Sequence, residues 1–288
     1  YYPSYTSSSP SHWQYHDLAG VEAFILNIAK KNADIVELSD VTKTRENQPV
    51  YYLIVTDPST PASKKREVFM TAGEHAREFI PVESVLYLLH TLVSGWKAGE
   101  GTKEREFSKF VLTNFILHIV PMLSPSGRAE LERKKDYCQR GTRSGVDLNR
   151  NFPWNYGGPG SSSHRHSEEY RGVKPISEPE SQLIDSIAQH NHLIAYLSLH
   201  SGARTIFLPY SDTESKRKRV EHPNTLRMMA LAGRISEATS GFFTEYGICY
   251  EKNDYTADGT AMDYLAGVLN VSIDRHQTSL TFLFFFFF

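Results

Sequence analysis

The sequence predicts an α/β fold: one domain with a mixed, twisted sheet flanked by helices on both faces. Short β-type runs alternate along the chain with longer stretches whose apolar residues recur at helical spacing. After the first residues, no internal repeat and no Pro/Gly/Ser-rich linker divides the chain. At 288 residues and 40% hydrophobic content, it can bury one large core.

Residues 1–14, rich in Ser, Tyr and Pro, read as a flexible lead-in, and 15–288 as the domain itself. Leu18, Val21, Phe24, Ile25 and Ile28 fall on one helical face and predict a first helix. Asp34 to Val41 and Val50 to Thr56 predict a strand pair joined by the polar Thr42 to Gln48. Glu67 to Thr71 is a short β-type run. Val82, Val85, Leu86, Leu89, Leu92 and Val93 then describe an amphipathic helix, and Phe115 to Val120 a strand stopped by Pro121. From Ser124 to about Lys174 the chain is dense in Gly, Ser, Asn and Arg, which predicts a long loop. Ser177-Glu178-Pro179-Glu180 predicts a helix start, with Ser177 as cap and a proline in the first turn. Leu183, Ile184 and Ile187 would face inward, Leu193 to Leu199 a buried strand would follow, and Leu226 to Ile235 another helix.

A net charge of −2 gives no reason to expect a nucleic-acid or membrane partner. The basic run Lys216 to Arg219 reads as a solvated loop, and no apolar run reaches the ~18 residues of a membrane span. Two cysteines, Cys138 and Cys249, are too few for a disulfide framework; one bridge or two thiols both remain open. The start, without Met or a signal-like apolar stretch, reads as mature or trimmed.

Three features carry chemistry. In Thr71-Ala72-Gly73-Glu74-His75-Ala76-Arg77-Glu78, an imidazole and a carboxylate stand three apart where a strand gives way to a helix, so both can reach one ion. Far downstream, His200 ends an apolar strand, at the edge where open α/β sheets bind ligands. Two His and one Glu leave a fourth tetrahedral position for water, the mark of a catalytic zinc. No His-Glu-x-x-His helix is present, and His164, His166, His190 and His192 read as loop or helix-surface residues. The third feature is Gly145-Val146-Asp147-Leu148-Asn149-Arg150-Asn151-Phe152, where an amide and a guanidinium adjoin. Arg binds a carboxylate through two parallel hydrogen bonds, as recognition of a free peptide C-terminus requires.

With these motifs in order, the sequence from about residue 15 to Phe282 resembles the carboxypeptidase A/B family of zinc metallopeptidases. Carboxypeptidase A is itself the standard example of the two-His, one-Glu zinc site. Tyr255-Thr256-Ala257-Asp258-Gly259-Thr260-Ala261-Met262-Asp263 is similar to the family's mobile-tyrosine segment, and Ser198 to Ser201 to its third-ligand segment. The resemblance implies one Zn2+ per chain on His75, Glu78 and His200, with Asp147 behind His75 as its acceptor. Asn149, Arg150 and the Tyr255 hydroxyl would hold the terminal carboxylate of a peptide or protein substrate. Arg77 and Ser201 would contact substrate, and Arg133 would stabilise the carbonyl oxygen, although Arg128, Arg140 and Arg143 lie near. Met262 would floor the side-chain pocket and favour neutral or apolar C-terminal residues; Asp254 and Asp258 read as exposed loop acids, or would attract a basic side chain if they point inward. The family habit implies a monomer that is secreted or in a vacuolar or lysosomal lumen.

The match breaks at the end. Where the family's general-base glutamate is expected, this chain has Leu283, followed by Phe284 to Phe288, and the closing helix is missing. The expectation is a domain truncated at its C-terminal end, its natural ending replaced. As written, the chain is expected to be impaired by on the order of 10²–10⁴, and a catalytically inactive peptide-binding relative is the alternative. Five Phe on an open sheet would also invite aggregation. Ser124-Pro125-Ser126-Gly127-Arg128 departs from the family's usual turn, and Cys138 has no cysteine after Trp154 to pair with.

Overall fold

A computed structural model describes residues 15–272 and 280–286, with side chains for 15–267. In chain order the elements are α1 (Leu18–Lys31), β1 (Val36–Lys43), β2 (Pro49–Val55), β3 (Arg66–Ala72), α2 (Phe79–Trp96), α3 (Lys103–Asn114), β4 (Phe115–Val120) and α4 (Pro125–Lys134). Next come α5 (Pro179–His190), β5 (Leu193–Ser201), β6 (Thr205–Leu208), α6 (Thr213–Lys218), α7 (Thr225–Ala238), β7 (Glu245–Ile248), α8 (Cys249–Lys252), α9 (Ala261–Ser272) and β8 (Leu280–Phe286). The strands form one mixed sheet in the order β1-β2-β4-β3-β5-β8-β6-β7. Its centre, β4-β3-β5-β8, is parallel.

Strand side chains alternate between faces, and β2 shows what each face meets. Tyr51, Leu53 and Val55 belong to one core with residues of α1, α2 and α7. Val50, Tyr52 and Ile54 belong to a second with residues of α5 and α9. Helices therefore cover both faces, as predicted. Leu53, Leu86 and Leu89 are fully buried, each worth on the order of 1.5–3 kcal/mol in removed apolar surface. Helix α2 is long and apolar enough by composition to cross a membrane, contrary to the expectation that no run qualifies. Its Val82, Val85, Leu86, Leu89 and Leu92 are instead packed into the core.

Three local expectations need correction. The segment read as a long loop opens with α4. That helix escapes an apolar pattern because its inward residues include Arg128 and Glu130 alongside Leu131. Arg128 is buried with its guanidinium 3.4 Å from the Phe79 ring centroid and its Nε 2.8 Å from Glu132, so a charge occupies a core position. Helix α5 is not capped by Ser177: Glu178 holds the N-cap position, and Ser177 Oγ donates to Glu178 Oε1 instead. The C-terminal run is not a sheet edge, because β8 lies between β5 and β6, with Leu283 level with Ser198 and Phe207. Phe287 and Phe288 lie outside the described residues.

Candidate active site

Strands β3 and β5 run side by side in parallel, Ala72 opposite Leu199, so the residues just after β3 meet the last residues of β5 at one sheet edge. Gly73 turns the chain there with φ +66°, and a Cβ on it would come within 2.8 Å of Met122 Sδ. A left-handed turn in so tight a space suits glycine. The turn carries His75, and Glu78 stands at the N-cap of α2. His200 is the penultimate residue of β5.

The three side chains are buried and converge, each offering one ligand atom, all within 4.8 Å of one another. His75 Nδ1 lies 2.7 Å from Glu78 Oε1, and His200 Nδ1 lies 3.0 Å from Glu78 Oε2. The two Nδ1 atoms face each other at 3.1 Å. Their outer nitrogens fix the tautomers. His75 Nε2 is 3.1 Å from Asp147 Oδ1, an acceptor. His200 Nε2 is 2.8 Å from Ser198 Oγ and 3.4 Å from Glu74 Oε2. With the protons on Nε2, both Nδ1 lone pairs and the Glu78 carboxylate aim at one point. Two imidazoles and one carboxylate so arranged fit a divalent cation that takes N and O donors, zinc foremost.

Without a cation the electrostatics follow from these same contacts, and a metal would displace the second proton they favour on His200. Burial pushes the Glu78 carboxyl up, but His75 and His200 outweigh it and hold it well below the usual carboxylate range. Burial likewise opposes Asp147, yet Arg140, His75 and Arg150 hold its carboxyl low. His200, which burial would push down, is raised by Glu78 and Glu74.

Around this cluster the predicted residues divide. Asp147 stands behind His75 as expected. Asn149 is buried, its Oδ1 accepting the Ala261 N–H that starts α9 at 3.0 Å. Arg150 is buried beside it, with Nε donating to Gly160 O and Nη1 to Asn149 O, both at 2.9 Å. Its Nη2 lies 4.0 Å from Glu169. Ser201 N–H donates to Glu78 Oε2 at 3.2 Å. Arg77 reaches outward, both Nη atoms 3.1 Å from Glu168. Met262 is fully buried with Phe207 and Cys249, and Tyr255 is 53% exposed. Cys138 and Cys249 are free thiols, the first exposed and the second buried.

Arg133 is not brought to the cluster. Its side chain is 60% exposed and forks onto Glu130, with Nη2 2.7 Å from Oε1. The guanidinium beside the metal-type cluster is Arg140, with Nε 3.0 Å and Nη2 2.9 Å from Asp147 Oδ2. Burial works against the Arg140 charge, but the Asp147 and Glu78 carboxylates raise its pKa. It also lines a cleft of about 260 Å³ with Cys138, Arg165, His166 and Glu168. Nothing in the spacing singles Arg140 out from its neighbouring arginines. Asp258 is a second correction: it is buried, not an exposed loop acid, and accepts from Gly160 N–H at 2.6 Å and Thr213 Oγ1 at 2.7 Å. Asp254 is exposed, as expected.

Comparisons with known proteins give the family and the fold. The sequence model of the family described as zinc carboxypeptidase matches residues 21–283. Human carboxypeptidase O is 26% identical over 260 residues, covering 87% of this chain and 66% of the relative. Bovine carboxypeptidase B2 is 31% identical over 223 residues, covering 74% of this chain and 51% of the relative. The solved structure of bovine thrombin-activatable fibrinolysis inhibitor in complex with tick carboxypeptidase inhibitor superposes with a TM-score of 0.77 at 27% identity, covering 94% of this chain and 86% of that one. The chain thus spans between half and two thirds of the length of the two relatives compared by sequence.

Proposed function

The chain belongs to the zinc carboxypeptidase family, and on that premise we propose that it holds one Zn2+ on His75, Glu78 and His200 and hydrolyses the C-terminal peptide bond of peptides and proteins. The observation that carries this reading is the pair of inward Nδ1 atoms, 3.1 Å apart, sharing the Glu78 carboxylate.

When bound, the ion supplies Lewis acidity, polarising the scissile carbonyl and lowering the pKa of a water to about 7. The protein's own groups do the rest. Asp147 holds the His75 proton on Nε2 and so keeps Nδ1 turned inward. Arg140, steadied by donating through Nε and Nη2 to Asp147 Oδ2, offers its guanidinium to the negative charge that develops on the carbonyl oxygen. It takes the role expected of Arg133. Arg150 is fixed through Nε and Nη1 by backbone carbonyls, and its Nη2, 4.0 Å from the half-exposed Glu169, is the atom a terminal carboxylate would take. Asn149 and the exposed Tyr255 complete that clamp, with Arg77 and Ser201 toward the rest of the substrate. Met262, buried beside Phe207, favours neutral or apolar C-terminal residues. Faster release of C-terminal Lys than of Phe would overturn that preference. A monomer that is secreted or in a vacuolar or lysosomal lumen is part of this proposal and rests on the family resemblance alone.

A second reading rests on Leu283. Its backbone sits level with Ser198 in β5, two residues short of the level of His200, and leucine cannot accept a proton. Among the described residues, Glu74 and Asp147 face the outer nitrogens of the imidazoles, so neither replaces a base at the ion. On this reading the chain binds peptide C-termini without cutting them. Assaying peptides with free and amidated C-termini, for zinc-dependent hydrolysis and for binding, separates the two. Hydrolysis of the free form alone supports the enzyme. Binding of the free form without turnover supports the inactive relative, and equal treatment of both peptides rejects both readings.

A further inference from the structure

Glu74 is a charge that the proposed hydrolysis does not use. It follows Gly73 in the turn after β3 and is 1% exposed. Its Oε1 accepts from Ser198 Oγ at 2.6 Å, and Thr71 Oγ1 and Tyr196 OH lie 2.9 and 3.2 Å away. Its Oε2 has no hydrogen-bond partner and lies 3.4 Å from His200 Nε2. A buried carboxylate without a compensating cation is costly, and the cationic direction open to Glu74 is through the imidazole.

The hydroxyl between them sets the direction of that coupling. Ser198 has one proton. With Ser198 Oγ donating to Glu74 Oε1, its lone pairs are left to accept the His200 Nε2–H at 2.8 Å. Glu74 thereby orients the serine, the serine holds the proton on Nε2, and Nδ1 keeps its lone pair on the side facing Glu78 and His75. The ring stands between Glu74 and the ligand side, which bars Glu74 from acting as a general base there. His75 has a counterpart arrangement, with Asp147 in direct contact with Nε2.

We propose that Glu74 is a positioning residue for the metal, acting through Ser198 and His200 as Asp147 acts through His75. The proposal rests on the zinc reading of His75, Glu78 and His200, and its test separates the two. Zinc dissociation constants are measured on the full chain by chelator competition, with the unfolding temperature of the metal-free form and the visible spectrum of the Co2+-loaded form as further readouts. Glu74→Gln keeps the shape and removes the charge. It is expected to weaken zinc binding about 10- to 100-fold and to shift the Co2+ bands. Ser198→Ala, which cuts the relay and leaves Glu74 in place, is expected to do the same, and the double variant no more than either alone. Should Glu74→Gln fail to fold, Ser198→Ala carries the test by itself. If the parent binds zinc and Asp147→Asn weakens it, but Ser198→Ala and any folded Glu74→Gln bind within twofold of the parent, the role of Glu74 is wrong and the site stands. If the parent binds no zinc, both fall.

Discussion

Among the places where this molecule buries carboxylates deeply, two treat them in opposite ways. At the ends of β3 and β5, Glu78 and Asp147 lie among His75, His200, Arg140 and Arg150, and their carboxyls are held low despite burial. At the start of α5, Glu180 is equally buried, at 1% exposure, and its Oε2 has no hydrogen-bond partner. Burial, with Glu178 and Glu46 beside it, pushes Glu180 up to about 7. The nearby guanidinium of Arg45 is paired with Glu178, with Nε 2.8 Å from Oε2. Burial alone raises a carboxylic acid; the supply of opposite charge decides whether it remains an anion. The first region is assembled to hold negative donors in their charged form, which is what a metal site needs. The second gives its guanidinium to Glu178 and leaves Glu180 Oε2 without a hydrogen bond.

The largest effect should come from adding a carboxylate to the first region. Leu283→Glu is expected to raise kcat on free C-terminal peptides by about 10²–10⁴, measured by release of the terminal residue. An unchanged rate with zinc bound would show that Leu283 does not occupy the base position. Next, Arg140→Ala removes a cation from the crowd and should lower kcat by about 10²–10³. Arg133→Ala, which removes only an exposed partner of Glu130, should leave kcat unchanged. Reversed outcomes would restore Arg133 to the role the sequence suggests. Asp147→Asn should weaken zinc affinity by about 10–100-fold, read by chelator competition.

The remaining effect lies in the second region and is read in stability, with a sign opposite to that of the first. The Glu180 carboxyl moves from 4.5 when unfolded to about 7 when folded, so folding favours its neutral form. Its contribution to stability is intact below pH 4.5 and falls as pH rises toward 7. Glu180→Gln should flatten that part of the profile and stabilise the metal-free chain at pH 8 by up to ~3 kcal/mol, measured by urea unfolding. Asp147, held low, contributes stability above the ordinary carboxylate range that is lost as pH falls through its depressed pKa. A wild-type profile that rises from pH 5 to 8 by the amount Glu180→Gln adds would contradict the contrast.

The convergence of His75, Glu78 and His200 was legible in part, because His75 and Glu78 sit three apart after a β-type run and His200 ends another apolar run, both at strand ends that parallel strands bring to one edge. Asn149 and Arg150 drew notice as an adjacent amide and guanidinium, and their clamp role comes from the family resemblance. Arg140 was not legible, because four arginines between 128 and 143 are alike until the fold shows which one Asp147 holds. Helix α4 hid for a related reason, since Arg128 and Glu130 stand where periodicity expects apolar side chains. Glu74 is invisible in a motif already explained by its neighbours; its meaning depends on Ser198, more than a hundred residues away. Asp258 looked like a loop acid because nothing local announces Gly160 and Thr213 as its donors.

The measurement that bears most directly on the account is zinc content and affinity of the folded full chain beside a His200→Ala variant. One zinc per parent chain is expected, with a loss in the variant exceeding the ~10–100-fold of a residue behind a ligand. A parent without zinc, or a folded variant that binds it as tightly as the parent, would contradict the site on which the proposed function stands.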